Sequence, residues 1–198
     1  AVFQNGDTQA VIVDSARTEY EGQTVLQAAI FDPAKKEISQ SHKRYLVPQG
    51  EFMPYLYQFL FSLFERGETT TILGGRLAYE VGPNTSQQHF ADNVPGVLFC
   101  FEVVDARGIK KLVSEREGRV PFIAHVVSHG WINESRIFRQ QLNTMLRVQA
   151  LWSDIPIVIA GNHIPGNYIT ADGTVKSLKE IAVGEKWRVS VVAVPHSQ

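Results

Sequence analysis

The sequence predicts an α+β fold: a single domain spanning residues 1–198, with a mixed, mostly antiparallel sheet, several hairpins, two main helices and one β-α-β unit near the C-terminus. Three observations predict it. The first third is rich in β-branched and alternating segments, two later segments carry helical spacing, and a wholly apolar run follows the second of them.

The early segments "QAVIVDSARTEY", "TVLQAAIFD" and "EISQSHKRYLV" read as a three-stranded meander from about Ala10 to Val47, with a Pro33 turn before the third strand. A helix is expected next. Phe52, Tyr55, Leu56, Phe59, Leu60, Leu63 and Phe64 fall at i, i+3, i+4, i+7 spacing, Pro54 suits a first turn, and Gly67 ends the run. A second apolar stripe, Met53, Tyr57 and Phe61, lies on the opposite side. A helix apolar nearly all round is either buried centrally or covered by a partner, so these three residues are the candidate interface.

"TTTILGG" reads as a strand and "VGPNTSQQHFADNVPG" as a long polar loop, with Arg76, Glu80 and His89 in a candidate lid segment. "VLFCFEVVDARGIKKLVS" reads as a hairpin turning at Asp105 to Gly108. "VPFIAHVV" is expected as a strand, "RIFRQQLNTMLRVQALW" as a helix with Asn133 or Ser135 as its cap, and "IPIVIAG" as a strand buried on both faces. A hairpin turning at Asp172-Gly173 and "EKWRVSVVAV" complete the chain.

Composition excludes some functions. The 44% hydrophobic and 20% charged content is that of a folded domain, and a formal charge of −1 argues against a dedicated nucleic-acid binder. The longest strongly apolar run, "FMPYLYQFLFSLF", is too short to span a bilayer. The lone cysteine, Cys100, excludes an intramolecular disulfide. Its sequence neighbours Phe99 and Phe101 supply no positive charge, so it reads as a packing residue. A single cysteine and an opening without a basic-then-apolar stretch lead to the expectation of a cytoplasmic protein; a secreted protein whose leader had been removed would look the same.

Chemistry is expected at the β-α-β unit. His125 and His129 would share a helix face. On a strand they stand about 13 Å apart and cannot chelate one ion, and Val126 occupies the place where a zincin needs Glu. Beyond the carboxyl ends of the two parallel strands, His129, Trp131, Asn162 and His163 form the candidate ligand-binding cluster; the plainer alternative is that the glycines there only make tight turns. "IPIVIAGNHIPGN" resembles the Gly-Asn-His element of the calcineurin-like metallophosphoesterases. That resemblance implies a two-metal site, but Ile164 stands where an acid is expected and no Asp-x-His occurs. The β-β-β-α-β order of the front resembles ribonuclease H-like nucleases. There Asp14 and Glu51 would be metal carboxylates, and Leu73-Gly74-Gly75 replaces the third acid. No complete catalytic set, nucleotide-binding loop or Gly-x-Ser-x-Gly elbow is present.

The function expected from sequence is therefore a non-catalytic binding or assembly subunit, with a protein partner or homo-oligomer and no cofactor or metal. The alternative is a metal-dependent phosphoester hydrolase or nuclease.

Overall fold

The computed structural model describes residues 12–32, 37–47, 51, 56, 59–60, 63, 79–83, 94–117, 119–128, 135–162 and 166–194. Three strands open it: β1 (Ile12–Tyr20), β2 (Gln23–Asp32) and β3 (Glu37–His42). They form an antiparallel meander in the order β1-β2-β3, as expected from their alternation. The β1–β2 turn places Glu21 at φ 50° and Gly22 at φ 77°, the left-handed pair that suits a two-residue hairpin.

The second sheet has five strands: β4 (Gly96–Phe99), β5 (Ile123–Ser128), β6 (Ile157–Asn162), β7 (Asn167–Ile169) and β8 (Val175–Ser177). Strands β4, β5 and β6 run parallel, while β7 and β8 add antiparallel at one side. Two helices connect the parallel strands, α1 (Ala106–Glu115) and α2 (Arg136–Ser153). A separate hairpin, β9 (Lys179–Val183) with β10 (Arg188–Val191), closes the described chain.

Alternation along the parallel strands sorts side chains into two cores. Val97 and Phe99 of β4 meet Ala28 and Ile30 of β2, with Ala124 and Val126 beside them, so the two sheets pack face to face. Leu98, Ile123, Val127, Ile157 and Ile159 point the other way, toward Ile109 of α1 and Leu142, Leu146 and Ala150 of α2. The result is helices, a mixed sheet and an antiparallel sheet in three layers.

Several expectations are corrected. "VDARGIKKLVS" is not a second hairpin arm: Asp105 caps α1, accepting the Arg107 N–H at 2.9 Å. Gly108 is not a turn residue but a close approach within the helix, where a Cβ would stand 2.5 Å from the Glu102 carbonyl oxygen. Strand β6 is buried on alternate residues only at its start, and its end is exposed. Gly161 lies within that strand, where a Cβ would meet the Val127 carbonyl oxygen at 2.0 Å, so it is a close approach and not only a turn residue. The expected helix near Phe52–Phe64 is described only at Leu56, Phe59, Leu60 and Leu63, which are helical and exposed at 65%, 59%, 38% and 60%. That stripe is therefore not a buried central face. The candidate interface residues Met53, Tyr57 and Phe61 lie outside the described residues, as does the expected "TTTILGG" strand.

The β-α-β expectation holds in its coarse form, with β5, α2 and β6 as its parts and Ser135 as the helix cap, accepting the Phe138 N–H at 3.3 Å. The core stripe of α2 is Leu142, Leu146, Gln149 and Ala150, while Ile137 and Leu151 are exposed. No helix among the described residues is long and apolar enough to cross a membrane.

Candidate active site

The sequence pointed to the ends of β5 and β6, but the described polar cluster lies one strand away, at the end of β4. His129, Trp131 and His163 fall outside the described residues, and Asn162 is exposed opposite Ser128. Among the described residues no three His, Cys, Asp or Glu side chains form a metal-holding group. Asp14 pairs with Ala29 within the meander, and Glu51 takes part in an ion pair with lysine.

The chain leaves β4 after Phe99 through Cys100, whose φ of 45° is left-handed. For a residue with a Cβ this conformation costs roughly 1–2 kcal/mol and persists only where its surroundings hold it. A 3-10 turn, Cys100–Val103, follows at once and leads into α1. This is a sharp strand-to-helix bend of the kind that presents a nucleophile at a sheet end.

Glu102 fixes the bend. It is 2% exposed, and its Oε2 accepts the Phe99 N–H at 2.9 Å. Its Oε1 accepts the N–H groups of Arg44 at 2.5 Å and Tyr45 at 2.9 Å. One carboxylate thus ties the turn carrying Cys100 to the segment after β3. Arg44 reinforces the junction through Nη1, which lies 2.6 and 2.7 Å from the two oxygens of Glu115 on α1. Burial pushes the Glu102 carboxyl above the usual range, against the lowering by the three N–H donors and by the charge of Lys43.

Lys43 is the residue so positioned. Its backbone N–H donates to Leu26 at 2.9 Å and its carbonyl accepts from Gly82 at 3.2 Å. The side chain has no solvent exposure, and its Nζ donates to Glu51 Oε1. Glu51 Oε2 accepts the Val47 N–H at 2.8 Å. A buried ammonium is costly unless paired, and here the partner is held in turn by the backbone.

These groups act on Cys100. Burial raises its thiol pKa, the positive charge of Lys43 and the Phe101 N–H lower it, and the charges of Glu51 and Glu102 raise it. Cys100 packs against the helix-facing core, as its sequence suggested, and it also feels charges that its sequence neighbours do not carry. Its sequence neighbours are apolar, but the fold supplies a lysine, two carboxylates and a backbone donor. The signal available in sequence was "HKRYLVPQGE", where Lys43 and Glu51 flank a turn. Their partner Cys100 is too distant in the chain for local patterning to connect.

No family model and no curated protein matches the chain. Solved structures do match in fold. The NitN amidase from Neterenkonia sp. AN1 superposes with a TM-score of 0.56 at 11% identity, over 91% of this chain and 59% of that one. A carbon-nitrogen hydrolase from Helicobacter pylori G27 gives 0.57 at 12% identity, over 92% of this chain and 61% of that one. The chain therefore spans about three fifths of the length of either neighbour. At this identity the likeness is one of fold. It corrects the expectation of a non-catalytic binding or assembly subunit, or of a phosphoester hydrolase or nuclease, because the fold is shared with an amidase and a carbon-nitrogen hydrolase.

Proposed function

We infer that the chain carries a thiol-dependent amidase site, in which Cys100 attacks the carbonyl carbon of a C–N bond. The single observation that carries this reading is Cys100 at the left-handed end of β4, in a turn that Glu102 ties to the segment directly after Lys43, itself paired with Glu51. The fold likeness to two enzymes named for amide or carbon-nitrogen chemistry supports it.

In this mechanism the Cys100 sulfur adds to the carbonyl carbon and the carbonyl electrons move onto oxygen. The Phe101 N–H and the Lys43 ammonium are donors available to that oxyanion, in a setting where burial strengthens both. A thiol raised by burial is protonated at rest, so attack requires a proton acceptor. Glu51, whose charge is felt at the sulfur, is the carboxylate that can take the proton and return it to the leaving nitrogen. Loss of the amine leaves a thioester on Cys100, which water hydrolyses.

The test uses p-nitrophenyl acetate and short-chain amides as acyl donors. Intact-mass measurement is expected to find one acetyl group on Cys100, absent in Cys100→Ala, with amide hydrolysis lost in the same variant. Equal hydrolysis by Cys100→Ala and the wild type would sink the reading.

A further inference from the structure

We propose that His125 is a positioning residue for Cys100: by holding the Cys100 carbonyl it fixes the Cys100–Phe101 peptide plane and so aims the Phe101 N–H at the sulfur. The inference rests on Cys100 being the nucleophile.

The geometry begins with the strand register. In the parallel β4–β5 pairing, Leu98 stands opposite His125 and Phe99 opposite Val126, and the ladder then stops. Cys100, turned into the left-handed region, has left the sheet. The His125 side chain supplies a bond in place of the ladder, its Nε2 lying 2.9 Å from the Cys100 carbonyl oxygen. A carbonyl can only accept, so His125 carries its proton on Nε2 in this contact.

The peptide unit is planar and trans, so its C=O and N–H point in opposite directions. Fixing the Cys100 carbonyl therefore fixes the direction of the Phe101 N–H, a donor that lowers the thiol pKa. His125 is itself fully buried and lies on the helix-facing side of β5, between Ile123 and Val127 of the same core. An imidazole at this position is not explained by packing alone, because a buried ring with two polar atoms costs more than an apolar side chain of the same size. Its use is to hold, from inside the core, a backbone plane that a strained turn would otherwise leave loose.

The test reads Cys100 directly, since it is the single cysteine of the chain. The pH profile of alkylation by iodoacetamide is measured for the wild type, His125→Phe and His125→Gln, with thermal unfolding recorded for each. His125→Phe keeps the ring volume but has no donor, whereas the Gln amide can donate from near the Nε2 position. Lys43, Glu51 and Glu102, the charged groups acting on the sulfur, are unchanged in all three. His125→Phe is expected to alkylate on the order of tenfold more slowly near neutral pH, with its midpoint moved up by about one unit. His125→Gln is expected to recover most of that loss. A purely structural histidine would lower the unfolding temperature in both variants without moving the thiol profile, and a His125→Phe profile identical to wild type overturns the proposal. Should His125→Phe fail to fold, nitrogen-15 NMR of the wild-type histidines decides: an Nε2–H tautomer supports the proposal, and an Nδ1–H tautomer overturns it. Failure of the underlying reading looks different. Amide hydrolysis by Cys100→Ala equal to wild type would remove both.

Discussion

The Glu102 carboxylate accepts the Arg44 N–H at 2.5 Å across 58 residues of sequence, joining the turn that bears Cys100 to the strand end that bears Lys43. The two residues that matter chemically are thus registered through a third. Glu102→Gln keeps the shape but replaces one acceptor oxygen by an NH2, which must face a backbone donor. A buried donor left unsatisfied costs about 1–3 kcal/mol, so urea unfolding should show a loss of that size. The same variant should lower acyl transfer to Cys100, because Lys43 and the thiol lose their common anchor.

Removing the lysine charge tests the electrostatics. Lys43→Met should move the Cys100 alkylation midpoint upward, since the ammonium is the charge that favours the thiolate. It also strands Glu51 beside an apolar side chain, so reduced thermal stability should accompany the shift. An unmoved alkylation midpoint would place Lys43 outside the site.

Gly108 is a steric test of the bend. A methyl group there would lie 2.5 Å from the Glu102 carbonyl oxygen, which is backbone and cannot step aside as a side chain could. Gly108→Ala is expected to cost about 1–3 kcal/mol, although alanine is otherwise the better helix residue. Thermal or urea unfolding checks the sign. Stabilisation would mean that the turn and α1 sit further apart.

Acid sensitivity should arise partly at His42. Its imidazole is buried, and burial, with Arg44 next, lowers its pKa from 6.5. As pH falls below 6.5 the unfolded chain takes up a proton that the folded protein still refuses, so stability drops until the lowered folded value is passed. His42→Gln should flatten this limb of a stability-against-pH curve. A curve unchanged between pH 6.5 and 5, a window set by the ordinary histidine range, would count against the assignment.

The α2 face offers a packing control. Leu146 has no exposure and sits against the helix-facing side of the parallel strands. Leu146→Ala should lose about 2–5 kcal/mol by urea unfolding while leaving the Cys100 alkylation profile in place.

What the sequence determined by itself was whatever depends on near neighbours. Strand patterning in Ile12–Asp32 and Glu37–His42 specified the meander, helical spacing specified α2, and its cap was narrowed to Asn133 or Ser135, of which the structure uses Ser135. The α1 segment was misread because Val, Ile and Gly within it resemble a hairpin. Asp105 was the legible cap, but Gly108 has its reason in the Glu102 carbonyl, which patterning does not show. The candidate site was illegible for the same reason in stronger form. A thiol is activated by charges in space, and those near Cys100 arrive on the β3 strand end and on Glu51, brought there by the packing of two sheets. Only the tertiary structure could place the apolar "LFCF" within the field of a buried lysine, because Coulomb interaction and backbone strain follow distance and dihedral angle, not order along the chain.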